Sequence, residues 1–127
     1  MPATRLLFYQ EADGRAPVIE WLRQLQNENV RAFAKCRVRL ARLAELGHEL
    51  RRPEADYLRD DLYELRSRMG TVNYRVLYFF HGRNVAVASH GFTKVAEVPS
   101  QEIELAIKRR QAFKTSPEKH TYTGEVP

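Results

Sequence analysis

Cysteine is nearly missing from this sequence. Cys36 stands alone among 127 residues, so no disulfide can close within the chain and no Cys/His set has zinc-like spacing. A reducing compartment fits that composition. Glycine and proline number only six each, which excludes a collagen-like or low-complexity chain. No stretch approaches the roughly 20 apolar residues of a membrane span, and the opening "MPATRLLFYQEADGR" lacks an apolar run of signal-peptide length. The expectation is a cytoplasmic protein without a membrane partner. Internal repeats and interdomain linkers are missing too.

What is present is enough for a packed core. Hydrophobic residues make up 43% and charged residues 29%, a balance that argues for one folded domain over disorder. The net charge of +5 and a pI near 9.6 favour an anionic partner, with RNA, DNA, an anionic membrane surface and an acidic protein all allowed by charge alone.

Residues 4 to 10, "TRLLFYQ", read as a strand before the turn residues "EADGRAP". Pro17 suits the first turn of a helix in which Val18, Trp21, Leu22 and Leu25 recur at helical spacing. Phe33, Cys36, Leu40 and Leu43 keep the period through a second helix that stops at Gly47. "HELRRPEADYLRDD" reads as a polar connection around Pro53. Three sheet-like runs follow, at about 61 to 68, 71 to 80 and 84 to 92. Pro99 and Ser100 begin a last helix carrying Ile103, Ala106, Ile107 and Phe113. The spacing thus predicts an α+β domain over residues 1–113, an antiparallel sheet with two N-terminal helices and a C-terminal helix, β-α-α-β-β-β-α, with residues 114–127 a loose or docked tail.

The segment "DLYELRSRMGTVNYRVLYFF" places Arg66 and Arg75 inside sheet-forming runs, where a permanent charge must meet water, a carboxylate or an anion. Hairpin loops of two or four residues put Arg66 opposite Asn73, Glu64 opposite Arg75, Arg75 opposite His90 and Asn73 opposite Phe92. Strict alternation then gathers Glu64, Arg66, Asn73, Arg75, His90 and Phe92 on one face, with Tyr63, Leu65, Tyr74, Val76 and Tyr78 on the other. Loops of odd length would scatter the set. Two guanidinium forks suit phosphate oxygens, and a histidine titrates near neutrality. Such a face suits attack of a ribose 2′-hydroxyl on the adjacent phosphate, which needs a base, an acid and stabilisation of phosphate charge, and in principle no metal. The bland alternatives are a cross-strand Arg75–Glu64 pair, a solvated Arg66 and a His90 that bonds the backbone. The basic run "KRRQAFK", beginning at Lys108 and Arg109, is either a solvated helix face or an extension of a nucleic-acid track.

Taken together, "LYELR", "YRVLYFF", "SHGFTK" and the helix "SQEIELAIKRR", preceded by "VIEWLRQL" and "LAELG", resemble the RelE/ParE toxin superfamily in its phage-derived HigB-type branch, over about residues 5 to 112. The resemblance implies the toxin of a type II toxin-antitoxin pair: an mRNA-cleaving protein, acting on the ribosome, without metal or cofactor. It also implies an antitoxin from a neighbouring gene, of helix-turn-helix type. Arg66 and Arg75 match the branch's basic strand positions and His90 and Lys94 its "HGFxK" segment, which implies Arg75 and Arg66 for phosphate and transition-state charge and His90 or Lys94 for proton transfer; Asn73 and Phe92 of the polar face and Lys108 and Arg109 of the basic run are the expected RNA contacts. The chain departs from the branch at Val95, Ala96 and Glu97, where basic residues are usual, and at Val98, Pro99 and Ser100, where some members carry a tyrosine. The superfamily also holds ParE-type gyrase inhibitors, and a non-catalytic module that binds an antitoxin or nucleic acid is a further alternative.

Overall fold

In the computed structural model, residues 4–94 and 97–127 are described, Lys94 by its backbone alone. Strand β1 (Arg5–Phe8) leads into helices α1 (Pro17–Glu28) and α2 (Val30–Leu46). Pro17 opens α1, where its missing N–H costs nothing. Asn29 caps α2 through its Oδ1, which accepts from the Ala32 N–H at 3.1 Å. Four strands follow: β2 (Ala55–Arg59), β3 (Leu62–Met69), β4 (Val72–His81) and β5 (Val85–Lys94), and α3 (Ser100–Thr115) comes last. The mixed α+β architecture is the expected one, with one strand more. That strand, β2, lies in the stretch read as a polar connection.

The five strands form one sheet in the order β1-β5-β4-β3-β2. The sheet is not wholly antiparallel as expected: β1 runs parallel to β5, while the other neighbours are antiparallel, and α1 and α2 carry the chain from β1 to β2 at the far edge. Helices α1 and α2 cover one face, burying Leu22, Phe33, Leu40 and Leu43 against Leu65, Val76, Tyr78 and Ala88. On the opposite face α3 buries Ile103, Ala106 and Phe113 against Leu62, Leu77, Phe79 and Val87. Gly91 of β5 lies under α1, where a Cβ would collide with the indole of Trp21. Only a glycine lets that ring lie on the strand.

The register differs from the expected one in an instructive way. The β3–β4 hairpin closes on Gly70 and Thr71, with Met69 opposite Val72 and Gly70 at φ 64°, a conformation that suits glycine. Arg66 therefore faces Arg75, not Asn73, and Glu64 faces Leu77, not Arg75. In the next hairpin His81 pairs with Val85, leaving an odd loop of Gly82, Arg83 and Asn84. The odd loop should have turned His90 to the other face. A bulge between Ala88 and His90, at Ser89, restores the alternation, so that Leu77 pairs with His90, Arg75 with Phe92 and Asn73 with Lys94. A slip of two residues and a compensated slip of one leave the polar face with its expected members.

After α3 the chain returns to β1. Tyr9 and Thr121 form an antiparallel bridge, the Gln10 N–H donates to the His120 carbonyl, and the Tyr122 N–H donates to the Phe8 carbonyl. His120 is buried, and its ring stacks on Tyr9 at 5.2 Å. The tail thereby pairs with the chain at the end of β1, from Phe8 to Gln10, while β2 is the open edge at the other side of the sheet.

Candidate functional site

Arg66 and Arg75, directly opposite on β3 and β4, converge on Glu64. The Arg66 Nε lies 3.1 Å from Glu64 Oε1, and the Arg75 Nη1 donates to Glu64 Oε2 at 3.3 Å. Arg66 also reaches Asp56 Oδ2 on β2 at 3.4 Å. Exposure falls steeply across the group: the side chain of Arg66 is 30% exposed, Arg75 11% and Glu64 5%. Two like charges side by side on a sheet repel, and Glu64 between them is what makes the pairing tolerable. The bland Arg75–Glu64 pair is thus present, made diagonally.

Burial pushes the Glu64 carboxyl above its ordinary value, while Arg75 and Arg66 pull it back down. Glu64 does not saturate its neighbours. Among the described residues, the Nε atoms of Arg66 and Arg75 are buried and have no hydrogen-bond partner; the Arg66 Nε is within ion-pair distance of Glu64 but out of line for a bond. A cleft of about 380 Å³ opens beside them, lined by Asp56, Leu58, Arg59, Glu64, Arg66, Arg75, Glu97, Val98 and Ile103.

His90 shares this face without lining the cleft. Its Nδ1 is 2.9 Å from Ser89 Oγ, and its Nε2 lies 3.6 Å from Glu102 Oε1 in the first turn of α3. Desolvation, with Arg109 nearby, lowers its pKa to about 4, so the imidazole is neutral at neutral pH. Phe92 lies beside it, with ring centroids 5.9 Å apart. Asn73 is half-buried at the far end of β4. Lys94 pairs with Asn73 through the backbone; its side chain, with Val95 and Ala96, lies outside the described residues.

The basic run of α3 disperses. Arg109 Nε bonds Glu11 at 3.3 Å, and the guanidinium lies over the Tyr9 ring. Arg110 donates to the Asp60 carbonyl, and Lys108 points into solvent. None of the three lines the cleft, so the expected basic track does not converge there. A helix presents neighbouring residues on different sides, and a linear run of cations need not become a patch.

Sequence reasoning missed the β2 wall of the cleft, Asp56 and Arg59, and the α3 residues that reach it. Arg59 bonds Glu104 at 2.8 Å and Asp60 at 2.6 Å. A signal for β2 was present. Asp60 and Asp61 both adopt positive φ between "ADYLR" and "LYELR", the tight-turn chemistry that joins two strands.

Residues 20–111, from α1 to α3, match the family of phage-derived Gp49-like proteins (DUF891). The chain belongs to that family. Gp49-like proteins are associated with RelE-like toxins, and the five-stranded sheet with helices before and after it is compatible with a RelE-like domain. No curated protein matches the chain. Among the described residues of this Gp49-like protein, no helix is long and apolar enough to cross a membrane.

Proposed function

We propose that this Gp49-like protein is the toxin of a type II toxin-antitoxin pair, of HigB type, and that it cuts mRNA at the Arg66–Arg75 cleft. The observation that carries the reading is two adjacent guanidiniums lining an open cleft with one buried carboxylate, Glu64, between them. In this reading Arg75 and Arg66 hold the scissile phosphate and neutralise the charge that gathers on it when the ribose 2′-hydroxyl attacks. In this reading that proton goes to neutral His90, a weak base at so low a pKa and set back from the cleft lining, which must come within reach when RNA binds. Delivery to the leaving 5′-oxygen then falls to Lys94. The ribosome as the place of cutting, and an antitoxin from the neighbouring gene, are parts of the same proposal.

Induction of wild type and Arg75→Gln in cells, with mapping of mRNA 5′ ends, tests it. New 5′ ends with the wild type, reduced at least 100-fold in the variant, are the expected result. Growth arrest without new 5′ ends would sink the reading.

A second reading has its own support. Three arginines of the cleft wall, Arg59, Arg66 and Arg75, face three carboxylates, Asp56, Glu64 and Glu97, a balance that suits a protein partner better than a polyanion. Growth arrest that survives Arg75→Gln, with gyrase supercoiling impaired or with no cut RNA, would favour it.

A further inference from the structure

On the opposite face of the sheet, where α2 stops at Gly47, the helical cover ends before the strands do. Tyr57, Tyr63 and Tyr78 stand in one row across β2, β3 and β4, since Tyr57 pairs with Tyr63 and Tyr63 with Tyr78. Tyr63 and Tyr78 stack at 5.4 Å, and the His48 ring stacks on Phe80 with centroids 3.6 Å apart. These five rings, with Gly47, Leu50, Arg51, Arg52, Ala55 and Asp56, border a cleft of about 320 Å³. Aromatic side chains this large are usually covered, yet Tyr57 is 51% exposed and held in place by its hydroxyl, which accepts from the Asp61 N–H at 3.1 Å.

Two features say what such a cleft takes. The first is charge. Arg51 and Arg52 stand at its rim, and the single carboxylate there, Asp56, is already held by Arg52 at 2.9 Å and Arg66 at 3.4 Å. Among the described residues Arg51 has no side-chain partner, so the rim offers a cation beside a stack of rings. The second is continuity. Asp56 borders this cleft and the Arg66–Arg75 cleft alike, the two lying on either side of β2, the open edge of the sheet. A polymer rounding that edge meets arginines on one face and rings on the other.

We propose that the His48–Tyr57–Tyr63–Phe80 cleft is a stacking subsite for an unpaired base of the same RNA strand whose phosphate lies at Arg66 and Arg75, with Arg51 holding an adjoining phosphate. It rests on the RNA reading above for its polymer, and on the rings and rim for its position. Stacking on tyrosine tolerates any base, so the subsite adds affinity without reading sequence, typically about ten-fold for each stacked base.

The test is an NMR titration of the full chain with a tetraribonucleotide whose 2′-hydroxyls are blocked against cutting, following both the ring protons of His48, Tyr57 and Tyr63 and the guanidinium signals of Arg66 and Arg75. Both sets are expected to move together. Tyr57→Leu should weaken binding about ten-fold, Tyr57→Phe, which keeps the ring and loses only its tether to the Asp61 N–H, should keep most of it, and Arg51→Gln should weaken it and lessen its salt dependence. Movement at the arginines with the rings still, or equal affinity in Tyr57→Leu, overturns the subsite and leaves the RNA reading standing. Stillness at both sets overturns the two together. Ring shifts produced by an acidic, aromatic peptide and not by the RNA would make the cleft a protein-docking site and overturn the proposal.

Discussion

At the scale of single residues, burial decides what each group does. Gly91 sits in "SHGFTK", a motif recognisable in the sequence, yet its purpose is to leave room for Trp21, 70 positions earlier in the chain. Gly91→Ala should cost about 1–3 kcal/mol by overpacking, and Trp21→Leu in the same chain should recover most of it; urea unfolding of the single and double variants measures both. His90 is the second case. Its folded pKa, about 4, lies below the ordinary 6.5, so the unfolded chain takes up the proton first as pH falls. Stability contributed by the neutral imidazole is complete above pH 6.5 and is lost progressively down to about pH 4, in all on the order of 3 kcal/mol. Unfolding of wild type and His90→Gln at pH 7.5, 5.5 and 4 should show the wild type losing more. No reading of the sequence in isolation supplies that shift, because its cause is the covering by α3.

At the scale of elements, the helices were legible and the edge of the sheet was not. Hydrophobic period and the breaks at Pro17, Asn29 and Gly47 mark α1 and α2, since each signal is local. Strand β2 is short, follows Pro53 and carries charges on one side, so its pattern is drowned by its surroundings. What anchors it is remote. Glu54, at its entrance, accepts from Arg42 Nε and Nη2 at 3.0 Å and pairs with Arg39 at 3.0 Å, both on α2. Those bonds, Arg42 foremost, hold the Glu54 carboxyl down at about 2, against an ordinary 4.5. The stabilisation is therefore whole above pH 4.5 and is lost as pH falls toward 2. Glu54→Gln should lower hydrogen-exchange protection in β2 at pH 7 and leave β4 and β5 unchanged; equal loss in all strands would show that the link is not local to β2.

At the scale of the whole molecule, the two edges of the sheet have different fates. The tail pairs with the end of β1 through His120, Thr121 and Tyr122, while β2 lies beside both clefts. Deleting residues 117–127 should cost about 2 kcal/mol of stability through the apolar burial lost and leave the end of β1 open to pairing with a second copy. Unfolding and light scattering of the truncated chain check the two effects. A truncated chain as stable and as monomeric as the full one would show that the tail contributes nothing to the fold.

Sequence alone determined the α+β class, the three helices and which residues share a face within each strand, Glu64 with Arg66 and Asn73 with Arg75; that His90 and Phe92 join them took a bulge. Helical period and strand alternation are written in neighbouring residues, and alternation survives any slip of two. Tertiary structure decided the rest: which residues stand opposite, that Glu64 lies between two arginines, that His90 is buried and neutral, and that the cations of α3 part company. Register depends on a single φ at Gly70 and a bulge at Ser89, and burial depends on what packs above. Neither is a property of the residue that feels it.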